Sequence, residues 1–385
     1  MKNWYGSNIT LVKRVGGSSM VVRIAVIGAG YMGSAHARVV RRIASEYPGL
    51  VELSYIVDID IDRAKLLSAR YGGKPLRSVE EISYNSVDLA IVAVPTRLHL
   101  DVTTTLLDKG VRGVLIEKPI ATDLAEAIKL VEHIEALGVW ASVGHVERFN
   151  PAVWSLHRLV ASNRLGDVLT IVARRVGPFA PRAGDTDVVY DLGVHEVDNA
   201  LALMRSIPES IRAYTLQSIV TDLNDYALII LGFHNGFASL EVNRITPFKQ
   251  RMLYITGSYA TAYLDYMSQE LRIYTMVEES IVRTNREEPL YLEDLSFILS
   301  FVEDREPLVD IYQGFAAMLV CGVALDSARR GSDIALRDTE VYASYKDYIR
   351  KAVDGYERYN LVTLKCLGIA PCNRIDKATY TSKPP

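Results

Sequence analysis

Lys118, Asp191 and His195 are the residues whose types and spacing could handle a proton. Lys118 stands in Glu117-Lys118-Pro119, at the end of an apolar run of strand length. An ammonium there can donate to a substrate hydroxyl and polarise it, although a lone lysine at that place also reads as a solvated strand end. Pro119 removes a backbone donor directly after it and sets the direction in which the chain leaves the sheet. The second group is Asp191-Leu192-Gly193-Val194-His195-Glu196-Val197-Asp198. At about 100° per helical residue, Asp191, His195 and Asp198 share one face, beside an apolar stripe of Val194, Val197, Leu201 and Met204. Two carboxylates flanking an imidazole favour its charged form and orient the ring, as a base accepting a hydroxyl proton during hydride removal requires. The plainer alternative is an Asp-capped helix start with a surface histidine.

These side chains need a scaffold that delivers a hydride acceptor. The β-branched run Val22–Ile27 leads straight into Gly28-x-Gly30-x-x-Gly33, and Ser34 to Val40 continue with good helix formers. Gly28 allows the tight turn, Gly30 lets backbone approach a pyrophosphate, and Gly33 lets the helix lie close on its strand, so the helix end faces the phosphates. The next strand, Val51 to Val57, ends at Asp58, 25 residues after Gly33. A carboxylate there holds the adenosine ribose hydroxyls and repels a 2′-phosphate. Ile59 follows it, so the expected cofactor is NAD rather than NADP. A glycine turn and a strand-end acid without any cofactor is the competing reading.

Helix and strand then alternate: helix 61–71, strand 74–78, strand 87–95, helix 96–109, strand 113–117, helix 121–137 and strand 139–145. Continuous apolar strands between amphipathic helices predict a doubly wound parallel sheet covered on both faces, over residues 21–147. Beyond Pro151 the rhythm changes. A helix over 151–162 leads into strands at 168–176, 211–220, 226–233, 236–245, 250–255, 261–266 and 270–275. Asn235-Gly236 marks a hairpin. Short connections predict a second, mostly antiparallel open sheet in an α+β domain over 148–350, with helices 291–303 and 311–330 covering one face. Residues 1–20 read as an arm, and residues 351–385, with no clear period, as a tail.

Forty-three basic and 46 acidic residues in 385 give a formal net charge of −3, which offers no general argument for nucleic acid or an anionic membrane. The longest apolar run, Gly314 to Leu325, falls short of the roughly 20 residues a membrane helix needs, so no span is expected. Lys13 and Arg14 interrupt what would have to be a signal-peptide core. Cys321, Cys366 and Cys372 are too few for a disulfide framework and point to a reducing, cytoplasmic setting, with a Cys366–Cys372 bridge the exception to consider. His36, His145, Asp191 and His195 could cluster, yet their spacing matches no zinc signature, and no metal is expected.

Gly28-x-Gly30-x-x-Gly33, Pro95-x-x-x-His99, Glu117-Lys118-Pro119 and Asp191-x-Gly193-x-His195-x-x-Asp198, in that order, resemble the Gfo/Idh/MocA oxidoreductase family. The resemblance implies a nicotinamide-dependent dehydrogenase of sugars or cyclitols, with Lys118 and His195 catalytic and Asp191 assisting. It implies NAD contacts from Gly28, Gly30, Tyr31, Met32, Gly33, Asp58, Pro95, Thr96, His99, Glu117 and Lys118. Thr96 replaces the Asn that members often carry there. It also implies a homodimer or homotetramer through the open face of the second sheet. Gly144-His145-Val146-Glu147-Arg148-Phe149-Asn150-Pro151 and Arg174-Arg175-Val176-Gly177-Pro178-Phe179 resemble, more narrowly, members acting on UDP-N-acetyl-hexosamines, in particular UDP-N-acetylglucosamine 3-dehydrogenases. On that reading Lys118, Arg148, Phe149, Asn150, Arg175, Asp191 and His195 contact substrate. Arg148, Arg174, Arg175 and Arg182 would meet a diphosphate, and Phe149 and Asn150 a sugar; surface ion pairs are the ordinary alternative for each arginine. Turnover of a free sugar or inositol, and a non-catalytic NAD sensor, are the other two functional readings.

Overall fold

The computed structural model describes residues 21–179, 186–217 and 222–364. Residues 1–20, Arg182, Cys366 and Cys372 lie outside that set, and so do the expectations attached to them. The first sheet contains β1 (Val22–Ile27), β2 (Val51–Val57), β3 (Lys74–Leu76), β4 (Leu89–Val92), β5 (Gly113–Glu117) and β6 (Trp140–Gly144). All pairs are parallel and the order is β3-β2-β1-β4-β5-β6. That is the order of a dinucleotide-binding sheet, in which ligands lie beyond the carboxyl ends of the strands where the order reverses. Helices α1 (Tyr31–Glu46), α2 (Ile61–Tyr71), α3 (His99–Asp108) and α4 (Leu124–Leu137) cover it. β1, β4 and β5 are buried at nearly every position, as a strand enclosed on both faces must be.

The second lobe begins with α5 (Pro151–Ala161) and β7 (Val168–Val176) and continues through α6 (Val194–Met204), β8 (Ser210–Gln217), β9 (Asn224–Phe233), β10 (Gly236–Asn243), β11 (Gln250–Gly257), β12 (Thr261–Asp265), β13 (Glu270–Tyr274) and β14 (Glu279–Val282). α7 (Pro289–Val302), α8 (Ile311–Arg330), β15 (Ile334–Ala335), α9 (Glu340–Ser344) and α10 (Lys346–Leu364) complete it. Among the described residues its nine strands run β14-β13-β12-β11-β7-β10-β9-β8-β15, and β7 against β10 is the single parallel pair. Strand β9 alternates strictly between buried and half-buried positions, with Ala227, Ile229 and Leu231 inward. The other face presents Val172, Tyr214, Leu216, Phe237, Tyr254 and Ile281 to solvent.

Two expectations are corrected here. Helix α7 was expected to cover the second sheet; it docks instead on α1 and β6 of the first lobe, carrying its buried polar side chains there. Residues 351–364 are the greater part of α10 rather than tail. Ile349, Ala352, Tyr356 and Tyr359 are buried at helical spacing, so a tyrosine-rich stripe supplies the amphipathic face. Helix α8 has 20 residues and contains an 18-residue stretch of mean hydropathy 1.4, long and apolar enough to cross a membrane by those two measures. It is a core helix, with 72% of that stretch buried against α4, α6, α10 and β8.

Candidate functional site

The glycine turn has the geometry its spacing requires. Gly28 has φ +99°, and a Cβ there would stand 2.5 Å from the Ala93 carbonyl oxygen; a Cβ on Gly33 would stand 1.7 Å from that of Gly28. Nothing lies within 4 Å of a Cβ built on Gly30, which opens onto free space. Gly30 also caps α1 without any side-chain hydrogen bond, leaving the first amides of the helix for a ligand. Asp58 accepts from Ala29 N at 2.6 Å and from Asp60 N at 2.8 Å, which fixes the carboxylate at the end of β2. Exposed Tyr31 and half-buried Met32 begin α1. An open cradle, uncapped amides and a positioned carboxylate fit the diphosphate and ribose of a dinucleotide.

Not every expected cofactor contact faces that cradle. Pro95 and Thr96 stand half-exposed to exposed beyond β4. His99, by contrast, is buried and its Nε2 binds the Val94 carbonyl at 3.0 Å, so it braces the loop from within. Glu117 is buried as well. Its Oε1 takes His36 Nε2 at 3.0 Å and its Oε2 accepts from Lys118 N at 3.1 Å. On its far side His36 Nδ1 reaches Asp294 Oδ1, on α7, at 2.8 Å. The two carboxylates hold the His36 imidazole well above its ordinary pKa although burial opposes this, and burial beside these acids pushes the unpaired Glu293 carboxyl well up too. Ligand atoms of His36, Glu117 and Glu293 lie within 4.8 Å of one another, a spacing that could hold a metal ion. With both ring nitrogens engaged by carboxylates, His36 has no lone pair to offer one.

Lys118 projects from the end of β5 across the lobe boundary. Its Nζ donates to the Asp191 carbonyl at 2.8 Å and to Asp191 Oδ1 at 3.1 Å, with the two side chains 18% and 22% exposed. The structure thus brings Lys118 and Asp191 together from opposite lobes. His195 follows on α6, 8% exposed, with Nδ1 buried and without a hydrogen-bond partner. Burial, and then the charge of Lys118, hold its pKa well below the ordinary value. This overturns the expected imidazolium between two carboxylates. Residues 189–193 form a π-turn ahead of α6, and this wider turn breaks the 100° register on which the shared face depended. Asp191 pairs with Lys118, while Asp198 is buried with its Oδ1 3.8 Å from Arg148.

Five of the six expected sugar and diphosphate contacts are corrected too, and the sixth, Arg182, lies outside the described residues. Arg148 is wholly buried, donates from Nη2 to Gln313 Oε1 at 2.9 Å, and lies 3.9 Å from the ring centroid of Tyr359 on α10. Phe149 is in the core. Asn150 caps α5, accepting from Ala152 N at 3.0 Å and donating to the Tyr266 carbonyl at 3.0 Å. Arg175 is sealed between Glu196 at 2.6 Å and Glu147 at 2.9 Å. Arg174 points the other way, onto the open face, where it binds Glu241. A cation missed in the sequence is Arg251 of β11, which stands over this cluster with its side chain 40% exposed. Its signal was its place on the inward parity of a strand, ahead of Leu253 and Ile255.

Residues 22–145 match the oxidoreductase family's NAD-binding Rossmann fold, and residues 153–263 match the GFO/IDH/MocA C-terminal domain, together more than half of the chain. The chain belongs to the GFO/IDH/MocA family. It is 30% identical to UDP-N-acetylglucosamine 3-dehydrogenase of Acidithiobacillus ferrooxidans over 66% of this chain and 77% of that protein. It is 32% identical to inositol 2-dehydrogenase of Pseudarthrobacter chlorophenolicus over 46% of this chain and 52% of that one. A solved structure of the Acidithiobacillus enzyme superposes with TM-score 0.73 at 26% identity, covering 81% of this chain and 99% of that one. As a GFO/IDH/MocA protein, the chain is an NAD-dependent oxidoreductase.

Proposed function

We propose that this protein oxidises a secondary ring hydroxyl of a sugar to a ketone, with a UDP-N-acetyl-hexosamine oxidised at C3 as the first substrate to test. His195 takes the hydroxyl proton at Nε2, the ring nitrogen other than the buried Nδ1, while the Lys118 ammonium stabilises the oxygen as the O–H bond breaks. NAD held by the glycine cradle and Asp58 would supply the redox chemistry, as the acceptor of the hydride from the same carbon. Ketone, reduced cofactor and one proton result. What supports this reading is the meeting of Lys118 and Asp191 beyond β5, next to a histidine kept neutral and able to accept a proton. Asp191 acts through Lys118, aiming the ammonium into the cleft. A complete lysine, aspartate and histidine set has no use in a protein that only senses NAD.

We also propose a homodimer or homotetramer built on the open face of the second sheet, a cytoplasmic setting, and a division near residues 147–148 between cofactor and substrate domains. The functional test begins by releasing and identifying any copurified nucleotide. NAD is then added with UDP-N-acetylglucosamine, other UDP-sugars, free sugars and inositol, and reduced nicotinamide is followed by absorbance. Turnover of UDP-sugars alone supports the finer reading, turnover of inositol or free sugars moves the substrate, and no turnover across the panel refutes dehydrogenase activity on sugars.

A further inference from the structure

Arg251 and Arg175 are paired positions of neighbouring antiparallel strands, so both guanidiniums leave the same face of the sheet, toward α6. Their surroundings differ. Arg175 is buried and takes an oxygen from each of Glu196 and Glu147. The second oxygens of those carboxylates are engaged as well, by the Tyr266 hydroxyl at 3.1 Å on Glu196 and by Asn150 Nδ2 at 3.3 Å on Glu147. Arg251 therefore meets a set of acceptors already in use. Among the described residues its nearest carboxylate oxygen is Glu147 Oε1 at 3.9 Å, the atom Arg175 already binds and one beyond hydrogen-bond reach.

The open end of Arg251 faces the cleft. Its side chain keeps 40% of its surface exposed, and its charge acts on both Asp191 and His195. A guanidinium repelled by a buried neighbour and lacking a bidentate carboxylate is a planar receptor for an oxyanion. Lys118 already has Asp191, so among the described residues the cation left for an incoming anion at this site is Arg251.

We propose that Arg251 binds an oxyanion carried by the sugar substrate, a phosphate or a carboxylate, and thereby selects anionic sugars over neutral ones. This rests on the reading of the cleft as a sugar dehydrogenase site and adds the class of sugar it takes. UDP-sugar, sugar phosphate and uronate share the required group, and separate arms of the test distinguish them.

The test uses the full chain loaded with NADH. Calorimetry measures binding of UDP-N-acetylglucosamine, glucose 6-phosphate and glucuronate against neutral N-acetylglucosamine and glucose, in wild type, Arg251→Gln and Arg251→Lys. Turnover with NAD runs in parallel. We expect at least one oxyanion ligand to bind wild type more tightly than its neutral parent and to lose about ten- to a hundredfold in Arg251→Gln. Arg251→Lys should recover part of that loss. Neutral ligands and NADH should hold their affinity in both variants, and the effect on turnover should fall on KM rather than kcat. The proposal is overturned if no oxyanion ligand is preferred by wild type, or if anionic and neutral ligands weaken equally. Arg251-dependent binding without oxidation of any sugar would remove the dehydrogenase reading and leave the oxyanion site standing. Oxidation of neutral sugars with no oxyanion preference would do the reverse.

Discussion

Replacing Lys118 by Met removes the ammonium and keeps most of the stem, which separates chemistry from folding. The lysine is bound to both the carbonyl and the carboxylate of Asp191 at a site about one-fifth exposed. Abandoning one partner of a fully buried ion pair costs about 3–5 kcal/mol, whereas an exposed pair contributes about 0–1 kcal/mol. A pair this accessible belongs between them, so the expected loss of stability is about 1–2 kcal/mol. That is tolerable against a typical total of about 5–15 kcal/mol. The glycine cradle and Asp58 are built on β1, α1 and β2, so NAD affinity should change by less than about threefold. Transition-state stabilisation should fall much further, because one preorganised donor to a developing oxyanion is worth about 2.7–4 kcal/mol, or 10²–10³ in kcat. Initial rates of reduced-nicotinamide formation at saturating NAD and sugar give kcat, fluorescence quenching gives NAD affinity, and a denaturant midpoint reports folding. A variant that folds, binds NAD and retains kcat within about tenfold of wild type would refute the role of Lys118. A collapse of NAD affinity with no change in kcat would make it a cofactor contact only.

The remaining predictions concern charge and assembly. Because burial and Lys118 hold His195 well below its ordinary pKa, kcat/KM should be level through neutrality and fall only on the acid side of about pH 6.5; an acid limb above that value would sink the neutral base. His36 has the opposite sign. Its folded pKa is raised, so the stability it contributes is complete below about pH 6.5 and is lost as pH rises through the folded value. In urea titrations the gap between wild type and His36→Gln should therefore be widest, about 3–5 kcal/mol, on the acid side of that value and shrink as pH rises; a gap that widens with pH would contradict the assignment. On the open sheet face, Val172→Asp places a charge beside Tyr254 and Phe237, and mass photometry should show a smaller species than wild type. A monomeric wild type would rule that interface out.

What could be read from the sequence was what the backbone determines locally. Gly28, Gly33 and Asp58 are dictated by a turn that no other local arrangement satisfies, and Lys118 by its place at the end of a central strand. The partnership of Asp191 could not be read, because a π-turn changes the angular register without any marker in the local residue pattern. Arginine is a poor guide for another reason. Arg148, Arg174, Arg175 and Arg251 are chemically identical, and only tertiary burial decides which is a pillar, which a surface pair and which a receptor. Helix α10 was readable and was missed. Its buried positions follow the 3.6 period, but four of the residues that carry the stripe into the core are tyrosines and asparagine, Tyr348, Tyr356, Tyr359 and Asn360, and counting them as polar hid the pattern.

The placement of acids accounts for how two lobes hold one cleft. Glu117 ends β5 and Lys118 follows it, yet each is tied to the second lobe, Glu117 through His36 to Asp294 on α7 and Lys118 to Asp191 ahead of α6. A strand end held at two consecutive residues by two different helices has little freedom to rotate, so the ammonium stays aimed into the cleft. The same layout helps to keep the buried His195 neutral, because these neighbouring acids already have cations: Asp191 has Lys118, and Glu147 and Glu196 share Arg175. With its neighbouring carboxylates paired, the imidazole is held neutral first by its burial and then by the charge of Lys118. Lys118 in the wall of this cleft therefore acts twice, once by helping to keep the base unprotonated and once by receiving the oxygen it deprotonates.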